Sequence, residues 1–161
     1  MIPDTLLIEA ESLLAACRAG GKKLVTAESC TGGLIAAALT AIAGSSDVME
    51  RGFVTYSNES KTELIGVPAE LIARRGAVSE DVARAMAEGA IRHSHADIAI
   101  SVTGVAGPGG GTTKKPVGFV CFGLARRGEP ARSEHHVFPG DRGAIRAAIV
   151  AHAFLLIRAA L

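Results

Sequence analysis

Thr26-Ala27-Glu28-Ser29-Cys30-Thr31-Gly32-Gly33 joins two patterns of different period. Before it, Lys23 to Ala27 is a short extended run. After it, Thr31 to Ile42 is rich in Ala and Leu and predicts a helix. A strand that turns sharply into a helix is the opening half of a crossover unit, so the stretch argues for an α/β chain. Ser29 falls just past the strand's C-terminal end, before the helix's first turn, and open α/β sheets bind ligands at that end. First-turn amides lack an intrahelical partner and can meet an anion or an oxyanion. Gly32 and Gly33 let a ligand approach the backbone closely. The stretch is not the G-x-S-x-G elbow, because neither flanking glycine is present. Two readings stay open on these residues alone: a nucleophilic serine, or a plain helix cap with glycines for tight packing. Cys30 is a rival nucleophile, since a helix N-terminus lowers a thiol pKa, and its alternative is a small buried residue.

Outward from this stretch the chain reads as one alternating series. Asp4 can N-cap a first helix with Leu6, Ala10, Leu13, Leu14 and Cys17 as its apolar stripe, ending at Gly20-Gly21. Gly44-Ser45-Ser46 ends the helix that follows the serine. Gly52 to Tyr56 reads as a strand. Ser57-Asn58 can cap a short helix through Ile65, closed by Gly66, and Pro68 suits the first turn of another, to about Arg74. Ser79 opens a longer helix to about His93, with Glu80 and Asp81 in its first turn, where the dipole favours them. Asp97 to Val102 and Val117 to Leu124 are apolar runs typical of strands covered on both faces. Arg132 to Phe138 alternates like a sheet edge, and Asp141 opens a last helix to the C-terminus. The order α-β-α-β-α-α-α-β-β-β-α mixes crossovers with a hairpin. It predicts a three-layer α/β/α domain with a mixed sheet, a single domain over residues 1–161.

Composition narrows the functions. The chain has 161 residues, 48% hydrophobic and 20% charged, with a formal net charge of +1. That balance argues against nucleic acid or an anionic membrane as partner. Five Phe, one Tyr and no Trp leave little for stacking on single strands. Three widely spaced cysteines, Cys17, Cys30 and Cys121, fit neither a disulfide framework nor a zinc site. The first residues do not read as a signal peptide and no run approaches a membrane span, so the expected compartment is the cytoplasm.

Two further strand ends carry polar groups. Tyr56-Ser57-Asn58-Glu59-Ser60-Lys61 brings the chain's one tyrosine and a lysine one turn into a helix. A lysine acts as a general base when burial or nearby positive charge lowers its pKa; the alternative is a solvated side chain. Thr103 to Thr112 is glycine-rich, and its backbone amides suit a phosphate or carboxylate, against a plain surface loop. Thr103, at the strand end, is better placed than the loop tip. The histidines promise less. His93 and His95 lie near a helix end, His135 and His136 point to opposite sides of an extended stretch, and His152 reads as a helix-face residue. No metal cluster is expected at these spacings, and no Ser-His-Asp triad follows from the order.

Together these segments resemble the CinA C-terminal domain family. The matching residues are Thr26 to Gly33, Arg51 to Glu59 with Lys61, and Gly76-Ala77-Val78-Ser79. They continue with Thr103-Gly104, Gly107-Pro108, Lys115-Pro116-Val117-Gly118 and Gly140-Asp141-Arg142. The resemblance implies an α/β/α fold, a homodimer or higher homo-oligomer, and the stand-alone form of the family. It implies an amidohydrolase acting on a small nucleotide, the PncC-type hydrolysis of nicotinamide mononucleotide in pyridine nucleotide salvage, by a serine–lysine mechanism. Carried over by position, Ser29 is the nucleophile, Lys61 the base and Tyr56 its helper. Thr31 and Thr103 line the site, while Cys30, Gly32, Gly33 and Asn58 sit around the substrate. Gly104, Gly107, Gly109, Gly110 and Arg142 face the nucleotide and its phosphate. No cofactor and no metal is implied. A nucleotide-binding module without catalysis and an interaction protein using the apolar last helix are the competing classes.

Overall fold

The computed structural model describes all residues, 1–161. Helix α1 (Asp4–Ala19) is followed by β1 (Leu24–Glu28), α2 (Leu34–Thr40), a single 3-10 turn (Ser45–Asp47) and β2 (Met49–Val54). Then come three helices, α3 (Asn58–Ile65), α4 (Ala69–Arg75) and α5 (Glu80–Arg92). Strands β3 (Ile98–Gly104), β4 (Phe119–Arg126) and β5 (Arg132–Val137) lead to α6 (Arg142–Ala159). The element order is the one expected from the sequence.

The sheet runs β2-β1-β3-β4-β5. Strand β1 pairs parallel with β2 and β3, whereas β3–β4 and β4–β5 are antiparallel. The sheet is therefore mixed, with crossovers on its parallel side and hairpins on the other. Residues alternate between its faces. Leu24, Ile98, Ile100, Val102, Val120 and Phe122 enter a 25-residue core with α1, α2 and α6. Val25, Ala27, Ala99 and Ala125 enter a 12-residue core with helices α3 to α5. A strand that buries both faces has no polar side to show, which is why β1, β3 and β4 read as continuous apolar runs. Strands β2 and β5 are the two edges, and β5, expected as an edge, has only exposed or half-buried residues.

Element boundaries differ from expectation where backbone chemistry overrides pattern. Helix α2 begins at Leu34, not Thr31, because Gly32 (φ 60°) and Gly33 (φ 96°) are left-handed and cannot continue a right-handed helix. Asp4 lies inside α1 rather than capping it, with Pro3 at the cap position. Ser57, Ser79 and Asp141 do cap α3, α5 and α6, each side chain accepting a first-turn amide. Strand β2 starts at Met49 and ends at Val54; Thr55 adds one more backbone bond to Glu28, and Tyr56 turns out of the ladder toward the site.

Gly89 tests the packing of α5. A Cβ there would overlap the carbonyl oxygen of Ile65 at the end of α3. Alanine is the better helix former by about 1 kcal/mol, but overpacking costs about 1–3 kcal/mol. Gly89→Ala should therefore lower the midpoint of urea unfolding, despite the improved propensity.

Candidate active site

The C-terminal ends of β1 and β3 lie side by side. The Ser29 amide donates to the carbonyl of Val102 (3.0 Å), and the Thr55 amide donates to the carbonyl of Glu28 (2.8 Å). These two bonds carry the ladder just past the strand ends and fix the turn that bears Ser29. Lys61 comes from the first turn of α3, whose cap Ser57 sets the helix direction. Its Nζ donates to Ser29 Oγ (3.0 Å) and to the Thr55 carbonyl (2.7 Å). Lys61 is only 1% exposed, the bulkiest fully buried side chain in the protein. Burial holds its pKa below the ordinary 10.5, partly opposed by the neighbouring Cys30. No carboxylate pairs with it. A buried amine without a counter-charge favours its neutral form, and a neutral amine can take a proton from the hydroxyl it touches.

Ser29 and Lys61 open into a cavity of about 250 Å³. Cys30, Tyr56, Asn58, Thr103, Gly104 and Arg142, each a candidate named from the sequence, also line it. Ala77, Val78 and Ala106 complete the wall, and no acidic residue is among them. With the Arg142 guanidinium on its wall and no carboxylate beside it, the cavity suits an anionic ligand. Arg142, at the start of α6, donates to the Gly107 carbonyl (2.8 Å) and to the Tyr56 hydroxyl (3.3 Å). Tyr56 is thus joined to Arg142, while the bonds of Lys61 go to Ser29 and Thr55. The Thr103 hydroxyl donates to the Ala77 carbonyl (2.8 Å) and so fastens the Ala77–Val78 wall to the end of β3.

Other expected residues stand back from the cavity. Thr31 is fully buried and does not line it. Gly32 and Gly33 shape the turn without reaching the cavity wall. Gly107 contributes its carbonyl to Arg142, whereas Gly109 and Gly110 are exposed and lie outside the lining. The glycine-rich tip therefore does not wrap this cavity.

Two residues escaped the sequence reading. Glu28 is completely buried, and its carboxylate accepts the amides of Ile35 (3.0 Å) and Ala36 (2.9 Å). The first-turn amides expected to meet an oxyanion are in part taken by this carboxylate. The amides left without an acceptor in another residue are those of Cys30, Thr31 and Gly33, in the turn before the helix. Arg146 donates to the Thr31 carbonyl (2.7 Å) and pins the same turn from α6. Its signal was present as the i, i+4 repeat of Arg142, which puts both arginines on one helix face. Burial pushes the Cys30 thiol up to about 11, which favours its protonated form at neutral pH and counts against it as the nucleophile.

The model of the CinA C-terminal domain matches residues 8–161. A CinA-like protein of Mycolicibacterium vanbaalenii is 52% identical over 141 residues, which are 88% of this chain and 33% of the relative. The chain spans about a third of the length of the first curated relatives it matches. The nicotinamide-nucleotide amidohydrolase PncC of Escherichia coli K12 is 47% identical over 153 residues, covering 95% of this chain and 93% of that protein. The crystal structure of the competence/damage inducible protein CihA from Agrobacterium tumefaciens superposes with a TM-score of 0.95 at 42% identity. That match covers 99% of this chain and 97% of the other. No helix is long and apolar enough to cross a membrane. With its mixed five-stranded sheet and its family model matched over nearly the whole length, the chain belongs to the CinA C-terminal domain family.

Proposed function

We propose that this chain is an amidohydrolase that converts the carboxamide of nicotinamide mononucleotide to the carboxylate, releasing ammonia, with Ser29 as nucleophile and Lys61 as base. The observation that carries the reading is the 3.0 Å contact between a serine hydroxyl and a buried, unpaired lysine amine. The PncC relative, similar over nearly the full length of both chains, supports the substrate.

Neutral Lys61 takes the Ser29 proton as Oγ attacks the amide carbon. The carbonyl π electrons move onto oxygen, where the free amide of Cys30, a residue of the cavity wall, supplies a donor. Collapse of the tetrahedral species breaks the carbon–nitrogen bond, and Lys61 returns the proton to the leaving nitrogen as ammonia departs. Water then attacks the ester with Lys61 again as base, and Ser29 regains its proton. Splitting the hydrolysis this way replaces one hard step by two easier ones. The Thr55 carbonyl holds Nζ in place throughout. Arg142 meets the nucleotide phosphate, so remote binding energy positions the amide.

An ammonia-release assay across nicotinamide mononucleotide, nicotinamide riboside and nicotinamide tests the substrate. Turnover of the mononucleotide well above that of the two phosphate-free amides is the expected result. Equal turnover of all three would sink the phosphate's role. Arg142→Met should raise KM for the mononucleotide about 10- to 100-fold, from the loss of a charge-assisted bond of about 1.5–3 kcal/mol. Its kcat should change less, and its KM for the riboside should not rise.

A further inference from the structure

Away from Ser29, β5 and α6 bring together three groups that the sequence keeps apart. Glu134 and His136 are two residues apart on β5 and share a face. His152 reaches them from α6, ten residues beyond Arg142, or about 15 Å along the helix axis. Glu134 Oε1 lies 2.9 Å from His136 Nε2 and 2.6 Å from His152 Nε2. One ligating atom from each of the three residues falls within 4.8 Å of the others. The sequence reading expected no metal cluster, since spacing along the chain does not show which strand a helix packs against; the fold brings these three groups together. His135, on the opposite face, belongs instead to Glu80 (2.8 Å).

We propose that Glu134, His136 and His152 form a binding site for one divalent transition-metal ion, of the zinc or cobalt kind, that staples the edge strand β5 to the last helix α6. Two imidazoles and one carboxylate suit zinc, cobalt, nickel or copper rather than magnesium or calcium, which take oxygen ligands. Ligand bonds of about 2.0–2.1 Å in a tetrahedral site put the donor atoms about 3.3 Å apart. The two Glu134–histidine separations need to open by less than 1 Å, and the histidine donor atoms, within 4.8 Å of each other, need to close by at most about 1.5 Å. Glu134 and His136 have that freedom, with side chains 44% and 43% exposed. His152 is the anchor at 19%. Its ring packs on Phe122 (centroids 4.7 Å apart) and His136 (4.2 Å). Phe122 and Phe138 screen one side, and the open side admits water as the remaining ligand.

The proton balance is simple. Burial tends to raise the Glu134 carboxyl, but the two rings outweigh it and keep it lower than usual. A carboxylate cannot donate, so both rings carry hydrogen on Nε2. Metal binding replaces two N–H···O bonds by two metal–nitrogen bonds and one metal–oxygen bond. Each Nε2 proton leaves through water, to the ring's own Nδ1 or to solvent, as that nitrogen bonds the metal.

The test uses the full, tag-free chain after chelation and dialysis. Zinc is titrated by calorimetry, cobalt by visible absorption, and thermal unfolding is followed with and without each ion. The expected result is one equivalent bound, with cobalt bands of tetrahedral intensity and a higher Tm with zinc. Magnesium should give no shift. His136→Gln and His152→Gln should abolish binding, and Glu134→Gln should weaken it at least 10-fold. If His152→Gln does not fold, the half-exposed His136 and Glu134 carry the test. Absence of binding in the native chain, or binding unchanged in the His136→Gln variant, overturns the proposal. The cluster is then a hydrogen-bonded clasp between strand and helix.

Discussion

Ser29→Ala should abolish ammonia release from nicotinamide mononucleotide, with kcat falling about 10³-fold or more, while the mononucleotide still binds. The change removes one oxygen from a residue 9% exposed at a cavity wall. The bonds that hold the turn are made by the Ser29 backbone, so they survive. Circular dichroism should be unchanged. Binding without turnover is also what separates an enzyme from a nucleotide-binding module. If the native chain binds but releases no ammonia, the module reading gains; if Ser29→Ala keeps full activity, the nucleophile assignment is lost.

Lys61→Met should lower kcat about 10²- to 10⁴-fold, the usual range for a general base. KM should move little, because Lys61 meets the hydroxyl rather than the remote phosphate. The same substitution has a signature in stability. Burial depresses the Lys61 pKa in the folded protein relative to the unfolded chain, near 10.5. Between the depressed value and 10.5, the unfolded state binds more protons than the folded one, so native stability rises with pH through that window. Below the depressed value the cost of burying an ammonium is fully present. Lys61→Met has no such group, and its unfolding free energy should lack that rise. Parallel denaturant titrations of the two proteins across alkaline pH read the difference directly.

The covered strands were legible because β1, β3 and β4 are buried on both faces and so read as continuous apolar runs. The caps Ser57, Ser79 and Asp141 were legible because a side-chain oxygen before a helix has one dominant use. The start of α2 was not: Thr31-Gly32-Gly33 followed by alanines reads as helix until the glycines' left-handed backbone is seen. Ser29 and Lys61 were recognisable as candidates, yet only the fold shows that α3 delivers Nζ to Oγ. Glu28 was invisible as an actor, since a glutamate at a strand end says nothing of which amides it will accept. The Glu134–His136–His152 group was hidden for the same reason, because its geometry depends on how α6 packs against the edge strand.

The pH dependence of kcat/KM for ammonia release tests the central pairing of Ser29 with neutral Lys61 most directly. The rate should rise with pH, with the slope of one proton, through an apparent pKa below 10.5, and Lys61→Met should lose that limb. A native profile that is flat or falling over the same range would contradict a neutral Lys61 acting on Ser29.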